Sequence, residues 1–357
     1  MNVMKKLLCL CMAGISMLTG LAGCAAPPVE STPVSTEPVP TEATQPPEEA
    51  SVFKVLLIGQ SLGQDTVWLL ETVLRAEMPD KEFVVGDIYE SIALGDHRKN
   101  ILNDAAIYKY YKFTDGTYTQ MEGVSIDMAL RDEWWDVIIF NDSTYATTQA
   151  SEFQDGDHAF MIQHIRENAI PGYRLAYNAT GANPTSAILW TGPDRRGAEV
   201  GVHQRFEREF GGSRNLYYDR ICSNIKTYIE TNEEFNLVLH GGTALQYASE
   251  TYGVPEADVE RKYDLYRDYV HLSDFGRLIV AYQLYAQMFG LEKIEDVKVD
   301  MIRKDMRATS REQKFGDLEI TQKHKDALIA SVNYALAHPN EVPEQTARPA
   351  AILEPLS

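Results

Sequence analysis

In "KVLLIGQSLGQD", Lys54 to Asp65, a serine stands two residues beyond an apolar run. The run over 53–59 is short and stops at a glycine, as a buried parallel strand does. A helical pattern follows. Ser61 has two open readings. It can be an N-cap whose hydroxyl accepts a bond from the first helical turn. It can also be a nucleophile held where a strand meets the free N–H groups and positive end of a helix. A nucleophilic serine needs a base, and the chain has eight histidines. His271 differs from the others in its surroundings, "YRDYVHLSDFGR", with Asp268 three residues before it and a helix expected after Ser273. In a loop, an aspartate at that spacing can turn back to accept the imidazole Nδ1–H, leaving Nε2 to take a hydroxyl proton.

The remaining polar candidates have structural readings as well as chemical ones. His158 and His164 fall in a polar helix pattern, His324 and His338 in a C-terminal helix, and His240 at a strand end. His97, beside Asp96 after the second strand, reads as the start of a helix, with a substrate contact as the alternative. Arg195 and Arg196 in "WTGPDRRGAEVG" either meet a substrate carboxylate or lie in a solvated loop. Trp134 and Trp135 are expected to pack on the sheet, and Cys222 to be a core residue. No metal-ligand spacing, phosphate-cradling loop or dinucleotide fingerprint is present, so no metal or cofactor is expected.

The elements that must position these residues alternate. Strands are expected over 53–59, 82–89, 135–142, 186–192 and 235–242. Helices are expected over 66–78, in "AFMIQHIRENA", in "NLYYDRICSNIKTYIET" and over 276–290. Alternating strands and helices with long crossovers imply a five-stranded parallel sheet wound with helices on both faces. In such a sheet ligands bind beyond the carboxyl ends of the strands, where Ser61 and His271 both fall. "IYKYYKFTDGTYTQMEG", 107–123, carries Asp115-Gly116 between β-rich flanks and predicts a hairpin projecting from the α/β body. The stretch 320–339 reads as an amphipathic helix.

The combination resembles the SGNH/GDSL hydrolase superfamily. Gly59-Gln60-Ser61-Leu62 matches its first motif, with Gln60 where aspartate is usual. Asp268 to His271, "DYVH", matches its last motif. "VIIFND", ending in Asn141-Asp142, looks like the third motif, whose asparagine serves the oxyanion hole. "LLIGQSLGQDTVWLL", "YYKFTDGTYTQ", "WDVIIF", "HGGTALQYA" and "YVHLSDFGRLIVAY" look more closely like an uncharacterised bacterial lipoprotein branch of that superfamily in which the aromatic hairpin recurs. The resemblance spans roughly residues 53 to 290. It implies a flavodoxin-like doubly wound sheet. It also implies a triad of Ser61, His271 and Asp268, and oxyanion donors at the Ser61 N–H and the Asn141 side chain. The second motif supplies a glycine N–H after the second strand; Glu90-Ser91 occupy that region here, and Gly95 is the nearest glycine.

Residues 1–23 read as a secretory signal: Lys5 and Lys6, an apolar core, then small residues. Leu21-Ala22-Gly23-Cys24 resembles a lipobox, with Cys24 the lipidated residue and the new N-terminus. Residues 24–50, rich in Pro, Thr, Ser and Glu, are expected to be an extended spacer. A hydrolase domain over 51–295, a helical extension over 296–340 and a loose tail over 341–357 complete the expected organisation. Of the four cysteines, Cys9 and Cys11 leave with the signal and Cys24 takes lipid, so no intrachain disulfide is expected. The net charge of −19 argues against nucleic acid as a partner and is compatible with neutral glycans. The expected function is therefore ester hydrolysis on the outside of a membrane, with acyl groups on carbohydrate as substrates. A second class of function is a lipoprotein of the same fold, weak in catalysis, that binds glycan or protein.

Overall fold

The computed structural model describes residues 52–143, 146–179, 208–211, 213–252, 265, 271–303 and 317–343. The chain begins with β1 (Val52–Gly59), α1 (Ser61–Val67), α2 (Leu70–Glu77), β2 (Glu82–Tyr89) and α3 (Leu94–Leu102). A hairpin follows, β3 (Tyr108–Thr114) and β4 (Thr117–Val124), then α4 (Ile126–Asp132) and β5 (Val137–Phe140). Next come α5 (Ala150–Gln154), α6 (Asp157–Asn168), β6 (Arg174–Asn178), α7 (Arg214–Asn224), which runs into a π-helical turn over Ile225–Ile229, and β7 (Leu237–Leu239). The last elements are α8 (Gly241–Tyr252), α9 (Asp274–Met288), the short pair β8 (Met301–Ile302) and β9 (Leu318–Glu319), and α10 (Gln322–Ala337).

The main sheet has seven strands in the order β4-β3-β2-β1-β5-β6-β7. β2, β1, β5, β6 and β7 are mutually parallel. Their side chains alternate between two buried clusters, because successive residues of a strand point to opposite faces. Val55, Leu57, Val137 and Ile139 pack with α2, α9 and α10; Leu56, Ile58, Ile138 and Phe140 pack with α4, α6 and α7. Both faces of the sheet are thus covered, which is what continuous apolar runs such as "VLLI" require.

Two expectations need correction. The sheet has seven strands rather than five, because the hairpin does not project: β3 joins the edge of β2 antiparallel, from Val85↔Phe113 to Tyr89↔Lys109. Its aromatic residues explain why. Tyr108 and Tyr110 enter one cluster beside Trp135, while Phe113 enters the other. There Trp68 meets Tyr111, Phe113 and Tyr118 with ring centroids 5.3, 4.9 and 5.4 Å apart. The fourth parallel strand is Arg174–Asn178. The expected strand over 186–192 lies outside the described residues. In addition, the helix expected over 66–78 is two helices that meet at Trp68 and Leu69, the first beginning at Ser61. Leu328 and Val332 of α10 are fully buried in the same cluster as β1 and α9.

Trp68 joins the hairpin to the first helix pair. Trp68→Ala is expected to lower unfolding free energy by roughly 3–5 kcal/mol, measured by chemical denaturation. The same substitution at the half-exposed Trp134 should cost far less.

Candidate active site at the switch between β1 and β5

The connection from β1 leads to β2 on one side, and the chain then crosses to place β5 on the other side of β1. The strand order therefore reverses direction at β1, and such a switch point is the usual ligand position in an open parallel sheet. Ser61 stands there, two residues beyond the end of β1. Gln60, with extended backbone at φ −116° and ψ −172°, holds the N-cap position of α1, and Ser61 is the first helical residue. Ser61 is therefore not the cap of its own helix.

Asn141, the first residue after β5, is buried with its side chain driven into the β1–α1 turn. A Cβ on Gly59 or on Gly63 would stand 2.3 Å from Asn141 Oδ1. Only glycine fits on either flank of Ser61 while the asparagine is there. Asn141 Nδ2 donates to the Asp142 carbonyl at 3.1 Å; an amide nitrogen carries two hydrogens, and that bond uses one. The Asp142 carboxylate accepts the Ser143 N–H at 2.6 Å. Burial pushes the Asp142 carboxyl up to about 7.

His271 lies half-buried, directly before α9. Its neighbour Leu272 donates its N–H to Asp65 Oδ2 at 2.8 Å. Asp65 lies four residues beyond Ser61 on α1, hence on the same face of that helix. Asp65 Oδ1 accepts Nε and Nη2 of Arg277 at 2.9 and 2.6 Å, and both side chains are fully buried. Ser61, Asn141 and the His271 segment thus gather at one rim of the sheet. Next to Asp65, Asp87 on β2 is also fully buried, with Oδ2 accepting from Gln64 Nε2 at 2.8 Å. Desolvation, with the Asp65 charge adding to it, raises Asp87 to about 7.

Gly95 is the second residue of α3, and a side chain there would meet the Asp157 carboxylate at 2.5 Å. Asp268 and Cys24 lie outside the described residues, as do Arg195 and Arg196. His97 is buried, its Nδ1 3.0 Å from the Tyr108 hydroxyl, and burial lowers it to about 4. The ring is therefore a neutral packing group. Trp135 is buried and its Nε1 donates to the Ala129 carbonyl at 3.0 Å. Burial pushes the Cys222 thiol up to about 12. Among the described residues no group of three or more His, Cys, Asp or Glu is placed to hold a metal ion, and no helix is long and apolar enough to cross a membrane. Sequence reasoning missed Asp65, Arg277, Asp87 and Gly63. The available signals were charged residues inside otherwise apolar elements, and a second glycine two residues beyond the serine.

Residues 54–313 match the family model described as a domain of unknown function, DUF4886. The chain belongs to the DUF4886 family. A crystal structure of a DUF4886 family protein from Bacteroides uniformis is similar at a TM-score of 0.62 and 21% identity, covering 82% of this chain and 98% of that one, and shows the fold. A protein from Slackia heliotrinireducens proposed to be an SGNH hydrolase aligns at a TM-score of 0.37 and 18% identity, covering 67% of this chain and all of that one. No curated protein matches.

Two outcomes are expected of this DUF4886 site. Gly63→Ala should displace Asn141 and destabilise the fold by about 1–3 kcal/mol through overpacking, read in a denaturant titration. For Asp87, the folded protein holds its proton to about 7, above the ordinary 3.8. The folded state therefore binds more protons than the unfolded chain between about pH 4 and pH 7, and stability falls as pH rises through that window. Asp87→Asn should flatten this part of the stability–pH profile, measured by urea denaturation at a series of pH values.

Proposed function

We propose that this protein is a serine ester hydrolase acting through Ser61, His271 and Asp268. The observation that carries the reading is the convergence of loops beyond β1 and β5. Asn141 is lodged between the two glycines that flank Ser61, and the N–H beside His271 is bonded to a carboxylate one helical turn beyond Ser61.

On this reading Ser61 Oγ attacks the ester carbonyl carbon as His271 Nε2 takes its proton. The carbonyl π pair moves to oxygen, and the oxyanion is met by the Ser61 N–H and the second Nδ2 hydrogen of Asn141. Collapse breaks the bond to the alcohol, which leaves with the proton from His271. Water then attacks the acyl-enzyme, giving a proton to His271, and the acid departs as Ser61 recovers its hydrogen. Asp268 accepts Nδ1–H and orients the ring. Gly95, the second residue of α3, is the weakest oxyanion candidate, since it lies five residues beyond Glu90, and Glu90-Ser91 is the region where the second motif places its glycine.

The substrate class we propose is acyl, chiefly acetyl, esters of carbohydrate. The chain's net charge of −19 suits a neutral glycan better than a polyanion. Lipidation at Cys24, followed by the spacer over 24–50, would anchor the enzyme outside a bacterial membrane and hold the domain away from it. The test uses p-nitrophenyl acetate and a fluorophosphonate. Wild type should turn over the ester and be labelled at Ser61. Ser61→Ala should lose both, with its melting temperature kept; wild-type turnover by a folded Ser61→Ala protein removes the reading.

A further inference from the structure

We propose that Asp65 is a positioning residue that sets the place of His271 relative to Ser61; the inference rests on the esterase reading and deepens it. Asp65 is fully buried and uses both oxygens: Oδ2 on the Leu272 N–H at 2.8 Å, Oδ1 on Nε and Nη2 of Arg277 at 2.9 and 2.6 Å. Only a carboxylate accepts on both sides. An amide would turn its own N–H groups toward one of these donors.

The bond to Leu272 joins residues 207 apart in the chain. At one end is the helix that begins with Ser61, and at the other the residue next to His271. The carboxylate cannot drift, because its partner is itself held. The Arg277 guanidinium lies 5.8 Å from the Trp68 ring centroid, and Nη1 is 3.5 Å from Asp274. The segment beyond His271 is also closed off. Ser273 donates its N–H to the Leu265 carbonyl at 2.8 Å, and a Cβ on Gly276 would stand 2.3 Å from that carbonyl oxygen. Those contacts fix the start of α9 against Leu265. The Asp65 bond ties His271's neighbour sideways to the serine's helix.

A structural ion pair and a positioning residue differ in what they do to His271. The experiment compares wild type, Asp65→Asn, His271→Ala and the double variant on p-nitrophenyl acetate, each well below its own melting temperature. Asp65→Asn should lower kcat about 10- to 100-fold with KM within about threefold, as expected when a catalytic group is misplaced by a fraction of an ångström to an ångström. The double variant should be no slower than His271→Ala alone, because groups acting as one unit are not additive. Losses that multiply overturn the proposal while leaving the esterase reading in place. Wild-type turnover by His271→Ala removes the esterase reading itself. Should Asp65→Asn not fold, Asp65→Glu keeps the charge opposite Arg277 but displaces the Leu272 contact. It should show the same lowered kcat and the same non-additivity with His271→Ala, and multiplicative losses there overturn the proposal equally.

Discussion

A carboxylate and a guanidinium, both shut away from water, meet where the first helix touches the last helix of the sheet's core. Asp65 and Arg277 belong to elements at opposite ends of the folded sequence, and their separation of 2.6 Å leaves no room for relative sliding. Neither charge could remain buried alone; losing one partner of such a pair costs about 3–5 kcal/mol. Replacing both by apolar groups is often neutral, so the pair is weak evidence of stability as such. What it does is fix geometry. The flat guanidinium takes two donors to one oxygen, and the other oxygen is left for a backbone N–H at the entrance to α9. The guanidinium also lies against Trp68, whose ring touches three aromatic residues of the hairpin. Helix, hairpin and the His271 segment therefore all meet at this ion pair.

The second constraint is steric. Asn141 enters the β1–α1 turn through space that two missing side chains leave open, at Gly59 and Gly63. This couples the loop after β5 to the turn after β1, the two loops that diverge at the switch point. The ion pair brings one segment to the serine's helix and the glycine slot brings another. With both in place, the turn after β1, the loop after β5 and the segment that enters α9 are held in fixed relation to one another.

How much of this was legible depended on whether the signal was local. The run before Gly59, the pattern of 82–89 and the apolar "VIIF" all gave strands near their observed positions, because continuous apolar stretches bounded by turns have few other uses in a parallel sheet. Arg174–Asn178 was missed: it is five residues long, begins with arginine and ends with asparagine, so its buried centre of Leu175, Ala176 and Tyr177 was too short to register. The hairpin was legible as a hairpin from Asp115-Gly116, but its pairing with β2 is a tertiary choice set by where its tyrosines and phenylalanine find cover. Ser61, Asn141 and His271 stand out in the sequence by type and place. Asp65 carries no such mark, because an aspartate in the second turn of a helix gives no local sign that its partner lies 212 residues away.

The electrostatics of this rim bear on the residues that follow β2. The proposed chemistry builds negative charge on an oxyanion, in a chain already at −19. Burial holds Asp87 and Asp142 near 7, so neither is a full negative charge at neutral pH, and Arg277 offsets Asp65. That leaves Glu90, half-exposed, whose own Oε1 accepts the Ser91 N–H at 2.9 Å. The amide at this position is thus engaged by the protein itself. A solvent-facing bond of this kind contributes only about 0.5–1.5 kcal/mol net. Its consequence is local: the Ser91 amide is taken up by Glu90, and a carboxylate is held close to the end of β2.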